Sequence, residues 1–151
     1  MPNKYSDLLF QLIHSLEKAE KRHFKLYIKR SSNREELKII QLFDALDKLK
    51  FYDEKLLLKK LPGIEKPQLS NLKTHLYKEL LASLRLLKSH DSVDLQLNEQ
   101  HDYAHILYKK GLFLQSLRVI EKAKEMARSQ YKFHHLAQLL ALEKRDRKSV
   151  V

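Results

Sequence analysis

The 151-residue sequence offers very few points at which the backbone can turn sharply. It contains two glycines and three prolines, namely Gly63, Gly111, Pro2, Pro62 and Pro67. These two residue types most often end helices and form tight turns. Among the apolar residues leucine dominates, whereas threonine occurs once and valine four times. Because β-branched residues are enriched in strands, this bias favours long helices joined by short links.

Apolar residues recur at intervals of three and four along most of the chain, as they do in helices with one buried face. The intervals predict an all-α antiparallel array of about seven helices. They cover approximately residues 7–28, 33–50, 54–61, 67–88, 93–110, 114–130 and 132–145. Ser6 is a candidate cap for the first helix, although Ser15 could instead divide that helix in two. Ser32 and Glu35 fit a capping box at the start of the second.

The chain length fits a single domain covering residues 1–151. We predict an N-terminal helical part in 1–90, repeat-like helices in 91–148 and a tail at 149–151, with the basic segment RDRKSVV unstructured. The last predicted helix has no following helix to pack against. We therefore expect either that the natural chain continues beyond Val151 or that this helix packs against another molecule, including a second copy of the chain.

A recognisable spacing of small and aromatic residues occurs between residues 97 and 130. A small residue in one helix is followed by a glycine in the turn, an aromatic residue two positions later, and two small residues seven positions apart. These positions are Ala104, Gly111, Phe113, Ser116 and Ala123. The pattern resembles a degenerate tetratricopeptide repeat, a family of paired antiparallel helices that usually bind proteins or peptides. The resemblance implies a tetratricopeptide-like helix pair and a protein-interaction scaffold.

The chain carries thirty Lys and Arg residues against nineteen Asp and Glu residues, a formal net charge of +11. Such a charge attracts nucleic acids and acidic proteins alike. On the first predicted helix, Lys18, Arg22, Lys25 and Lys29 share one face that is about 16 Å long. This face is a candidate site for nucleic acid or for an acidic partner. The alternative is an ordinary solvated helix face.

A second interpretation would also bind nucleic acid. Residues 54–61, the turn PGIEKP and the following helix could form a helix-turn-helix, in which the second helix enters the major groove. The side chains facing the bases would be Gln68, Ser70, Asn71, Lys73 and Thr74. The turn is longer than the usual three or four residues, which favours an ordinary helix pair instead.

Several classes of enzyme are excluded by what the sequence lacks. A phosphate-binding loop and a dinucleotide-binding fingerprint both need closely spaced glycines. The chain has no cysteine, and its serines lack the strand-turn-helix setting of a nucleophile elbow. His101 and His105 are one helical turn apart, but two ligands do not make a zinc site. We therefore expect no catalytic residues, no metal and no cofactor.

The sequence shows no signal peptide and no apolar segment near the ~20 residues that a bilayer requires. The lack of cysteine is typical of reducing cytoplasm. We expect a cytoplasmic protein without membrane contact. Its expected function is that of a non-enzymatic helical scaffold for a protein or peptide partner that is acidic in part. The alternative is RNA or DNA binding through the basic face of the first helix.

Overall fold

The computed structural model describes residues 7–30 and 34–150. These residues form eight α-helices and no strand, which confirms the all-α prediction. The chain divides into two compact units, residues 1–87 and 88–151.

The N-terminal unit contains helices α1 to α5. Lys88, the last residue of α5, is the first residue of the C-terminal unit. The bounds of these helices are α1 Leu8–Ser15, α2 Lys18–Ile28, α3 Arg34–Lys48, α4 Glu54–Lys60 and α5 Lys66–Lys88. Buried apolar side chains from all five helices form one core. The largest that are fully buried include Phe24, Phe43, Leu57, Leu76 and Leu80.

The first predicted helix is two helices, because the backbone is extended at Leu16 and Glu17. The backbone N–H of Glu17 donates to the Glu20 carboxylate at 2.8 Å, which stabilises the start of α2. The side chain of Asp7 caps α1 by accepting from the N–H of Phe10 at 2.8 Å. Ser6 and the predicted capping box at Ser32 lie outside the described residues.

The C-terminal unit consists of three helices, α6 Val93–Lys109, α7 Phe113–Ser129 and α8 Phe133–Ser149. Each has 17 residues, and they begin at residues 93, 113 and 133, so each helix and its link occupy 20 residues. Short links between packed helices make neighbours antiparallel. Helices α6 and α8 both pack mainly against α7 and contact each other little.

Helix α8 extends further than the sequence predicts, since Arg145–Ser149 of the supposed tail are helical. Asp146 is fully buried and pairs with Arg145 at 2.8 Å. The Arg145 guanidinium lies 3.6 Å from the centre of the Tyr108 ring, and the Tyr108 hydroxyl lies 3.3 Å from Ser149 Oγ. The end of α8 is therefore stabilised by polar contacts with Tyr108 of α6. The spacing of apolar residues could not predict this last turn, because it depends on polar side chains.

Candidate functional site

The turn between α6 and α7 contains a glycine that its backbone conformation requires. Gly111 has a left-handed backbone, with φ of 75°. The N–H of Leu112 donates back to the carbonyl of Leu107 at 3.0 Å, a bond typical of helices that end in this conformation. A Cβ at Gly111 would meet nothing within 4 Å. The preference for glycine therefore comes from the backbone and not from crowding.

Tyr131 occupies the equivalent position in the turn between α7 and α8. Its φ is 54°, and it is the only residue other than glycine with a positive φ in the described ranges. The N–H of Lys132 donates to the carbonyl of Ala127 at 2.8 Å, which repeats the bond in the preceding turn. A left-handed backbone costs a residue with a Cβ about 1 kcal/mol. Burial of the ring does not offset this cost, because Tyr131 is 78% exposed.

Phe133 forms an exposed aromatic pair with Tyr131. The two ring centres are 6.3 Å apart in an edge-to-face arrangement, and Phe133 is 67% exposed. The residue between them, Lys132, pairs with Asp94 of α6 at 2.8 Å. His135 Nε2 also lies 3.2 Å from Asp94. The contacts with Asp94 therefore fix the turn against α6, while both aromatic rings remain exposed to solvent.

The hydrogen bond from Lys132, with its charge and that of His135, lowers the pKa of Asp94. The direction of this shift means that the ion pair with Lys132 favours the charged form of Asp94.

The outward side of α8 continues the apolar surface that begins at the aromatic pair. We call it the α8 face. Its exposed members lie at intervals of three and four along the helix and comprise Phe133, Ala137, Leu140, Ala141, Lys144 and Lys148. The first four are apolar and the last two are basic. At ~1.5 Å per residue the face is about 22 Å long.

An ion cluster around the nearly buried side chains of Lys124 and Glu143 joins α7 to α8. The side chain of Lys124 is 6% exposed, and its ammonium lies 2.6 Å from Glu143 and 2.8 Å from Glu121. Arg147 donates to Glu143 at 2.6 Å. The hydrogen bonds to Glu121 and Glu143 raise the pKa of Lys124. Those from Lys124 and Arg147 lower the pKa of Glu143. The cluster fixes which side of α8 faces outwards.

The basic face predicted on the first helix is reduced to three unpaired cations. Lys18, Arg22 and Lys29 are exposed, with no ion-pair partner among the described residues. Lys25 instead pairs with Asp44 of α3 at 2.7 Å. A single sequence does not reveal this pairing, because the partner lies on another helix.

The helix-turn-helix interpretation loses one of its five side chains. Gln68, Ser70, Asn71 and Thr74 are exposed along the beginning of α5. Lys73 is not available to a base, since it pairs with Asp7 and donates to the Tyr52 hydroxyl at 2.9 Å.

The residues that carry the tetratricopeptide resemblance lie near the contact of α6 with α7. Ser116 Oγ donates to the carbonyl of Ala104 at 2.8 Å, and both residues are fully buried. The Phe113 ring lies 5.2 Å from the Tyr108 ring beside the turn at Gly111. Helices α6 and α8 begin 40 residues apart, whereas a tetratricopeptide repeat has a period of 34.

Residues 7–30 and 34–150 contain no group of three or more His, Asp or Glu side chains arranged to hold a metal ion. His101 and His105 thus gain no third ligand from that part of the chain. None of the helices in the same ranges is both long and apolar enough to cross a membrane.

Sequence reasoning did not find Tyr131, Phe133 or the α8 face. The available signal was the correspondence of KKGLF after α6 with SQYKF after α7, which places Tyr131 where the earlier turn has Gly111. In comparisons with known proteins, no family model, curated protein or solved structure matches this chain.

Proposed function

We propose that this chain is a non-enzymatic, cytoplasmic helical scaffold that binds a protein or peptide partner through its C-terminal unit. The observation that carries the proposal is the aromatic pair Tyr131 and Phe133, whose rings are 78% and 67% exposed. Tyrosine is among the residues that contribute most to binding energy at protein interfaces. An exposed residue with a strained backbone is also a reason to suspect a function.

The α8 face supports the same proposal. Leu140 is 45% exposed, and with Ala137 and Ala141 it extends the apolar surface along the helix. Contiguous exposed apolar surface rimmed by charged residues is typical of interaction sites. Phe133 at one end and Lys148 at the other give the face an apolar part and a basic part, as expected for a partner that is acidic in part.

Nucleic-acid binding through Lys18, Arg22 and Lys29 is the alternative proposal. It rests on three exposed cations without the aromatic side chains that usually stack on single-stranded bases. The two proposals place the site in different units, so substitutions in one unit distinguish them.

The test compares proteins cross-linked to the tagged full chain with those cross-linked to a variant carrying Tyr131→Gly, Phe133→Ser and Leu140→Gln. We expect a specific partner to be lost in the variant. The matched control is Leu37→Gln, which alters a similarly exposed leucine of α3. Capture of the same proteins by all three chains would reject the proposal.

A further inference from the structure

We propose that the partner contributes an amphipathic α-helix that lies antiparallel along the α8 face, with acidic residues in its first turn. This inference rests on the proposed function and specifies the chemistry of the partner.

The shape of the α8 face suits a helix. Ala137 and Ala141 are one turn apart and exposed, so two small side chains lie on the face beside the larger side chains of Phe133 and Leu140. Small side chains at a contact allow two helix axes to approach closely. A helix that presents apolar residues at intervals of three and four would pack over these alanines.

The charges of α8 favour acidic residues at one end of the partner. Lys144 and Lys148 lie on the face and are exposed, with Arg147 beside them. The two carboxylates of α8 do not neutralise the two lysines, because Glu143 pairs with Lys124 and Arg147, and Asp146 is fully buried. Acidic residues of the partner would therefore complement the C-terminal half of the face.

The helix dipole determines the direction of the partner. Acidic residues stabilise a helix when they lie in its first turn. If that turn lies beside Lys144 and Lys148, the partner runs antiparallel to α8. The same alternation of direction relates α6, α7 and α8, so the partner would extend the helical array by one member.

A second copy of this chain fits the site less well. In an antiparallel pair, the first turn of its α8 would lie beside Lys144 and Lys148, and that turn contains no acidic residue. A parallel pair would bring the lysines of the two copies together. Self-association is therefore an outcome that the experiment must distinguish.

The experiment measures fluorescence anisotropy of labelled peptides mixed with the full chain. The first peptide is an amphipathic helix of about 16 residues, which matches the length of the face, with glutamates in its first turn. The second has the same composition with the glutamates in its last turn. We expect the first peptide to bind at least about threefold more tightly, as complementary exposed charges should allow.

The double variant Lys144→Glu and Lys148→Glu should abolish this preference, and a peptide with lysines in its first turn should then bind the variant better than either acidic peptide. Circular dichroism would show that the variant keeps its helices.

Each other outcome has a definite meaning. Equal binding of both acidic peptides, lost in Leu140→Gln, would reject the direction of the partner but leave the proposed function standing. Equal binding that Leu140→Gln does not affect would reject this inference, and the cross-linking experiment would still decide the proposed function. Absence of binding would reject the inference alone. A concentration-dependent dimer that Leu140→Gln abolishes would identify a second copy as the occupant and also reject it.

Discussion

Gly111 and Tyr131 occupy the same position in two successive turns of the C-terminal unit, 20 residues apart, and both have left-handed backbones with φ of 75° and 54°. The first position has the residue that the backbone prefers. The second has a large side chain whose ring remains in solvent. A natural sequence that keeps an unfavourable residue at an exposed position has lost stability without an evident gain in packing, which is the pattern expected where function limits stability.

Replacing Tyr131 with glycine should stabilise the C-terminal unit by about 1 kcal/mol, because the left-handed backbone no longer carries a Cβ. Hydrogen exchange of the amide groups of α7 measures this unit separately from the other. Gly111→Ala is the matched control, with an expected loss of about 1 kcal/mol. A destabilised Tyr131→Gly variant would show instead that the exposed ring stabilises the fold.

Lys124→Ala should destabilise the C-terminal unit by about 2 kcal/mol, because it removes one of the two cations that pair with the nearly buried Glu143. Here Glu143 would keep only Arg147 as a cationic partner. Lys122→Ala, an exposed lysine of the same helix, should change stability by less than about 0.5 kcal/mol. Similar protection of the α8 amides from exchange in both variants would contradict a structural role for the ion cluster.

The lowered pKa of Glu143 predicts a loss of stability in acid. A carboxyl group whose pKa is lower in the folded state contributes stability that is fully present above its unfolded pKa of about 4.3, and this is lost as the pH falls through the folded value. We expect a shallower acid limb in Glu143→Gln, measured as stability against pH. Asp94, whose pKa is also lowered, should account for part of the limb that remains. An unchanged limb would reject this assignment.

The sequence could predict those features of the fold that depend on neighbouring residues. Leucine spacing predicted α5, since the predicted range 67–88 differs by one residue from the observed Lys66–Lys88. The side chains that cap α4 and α6 are those of Asp53 and Ser92, which are residue types common at helix starts. The break at Leu16 was not predicted clearly, because the N-cap of α2 is Glu17, and glutamate is an unusual cap.

Features that depend on residues from different helices could not be predicted. The pairing of Lys25 with Asp44 joins α2 to α3, and the contacts of Arg145 and Ser149 with Tyr108 join α8 to α6. The left-handed backbone of Tyr131 could not be predicted for another reason, since tyrosine has no preference for that conformation. Only its alignment with Gly111 in the preceding turn would have indicated it.

The nucleic-acid alternative predicts how steeply affinity falls with salt, and the structure lowers the expected slope. Four cations on the first helix would release counterions with a log–log salt slope near −3 for a single strand, whereas the three that remain unpaired would give about −2. Under the proposed scaffold function, we expect labelled single-stranded RNA to bind weakly at physiological salt, and Lys18→Gln, Arg22→Gln and Lys29→Gln together to leave partner capture unchanged. Tight binding with a slope near −2 that this triple variant abolishes would establish the nucleic-acid alternative. Lys25→Gln is the control, because its ammonium already pairs with Asp44 and its loss should not reduce the slope.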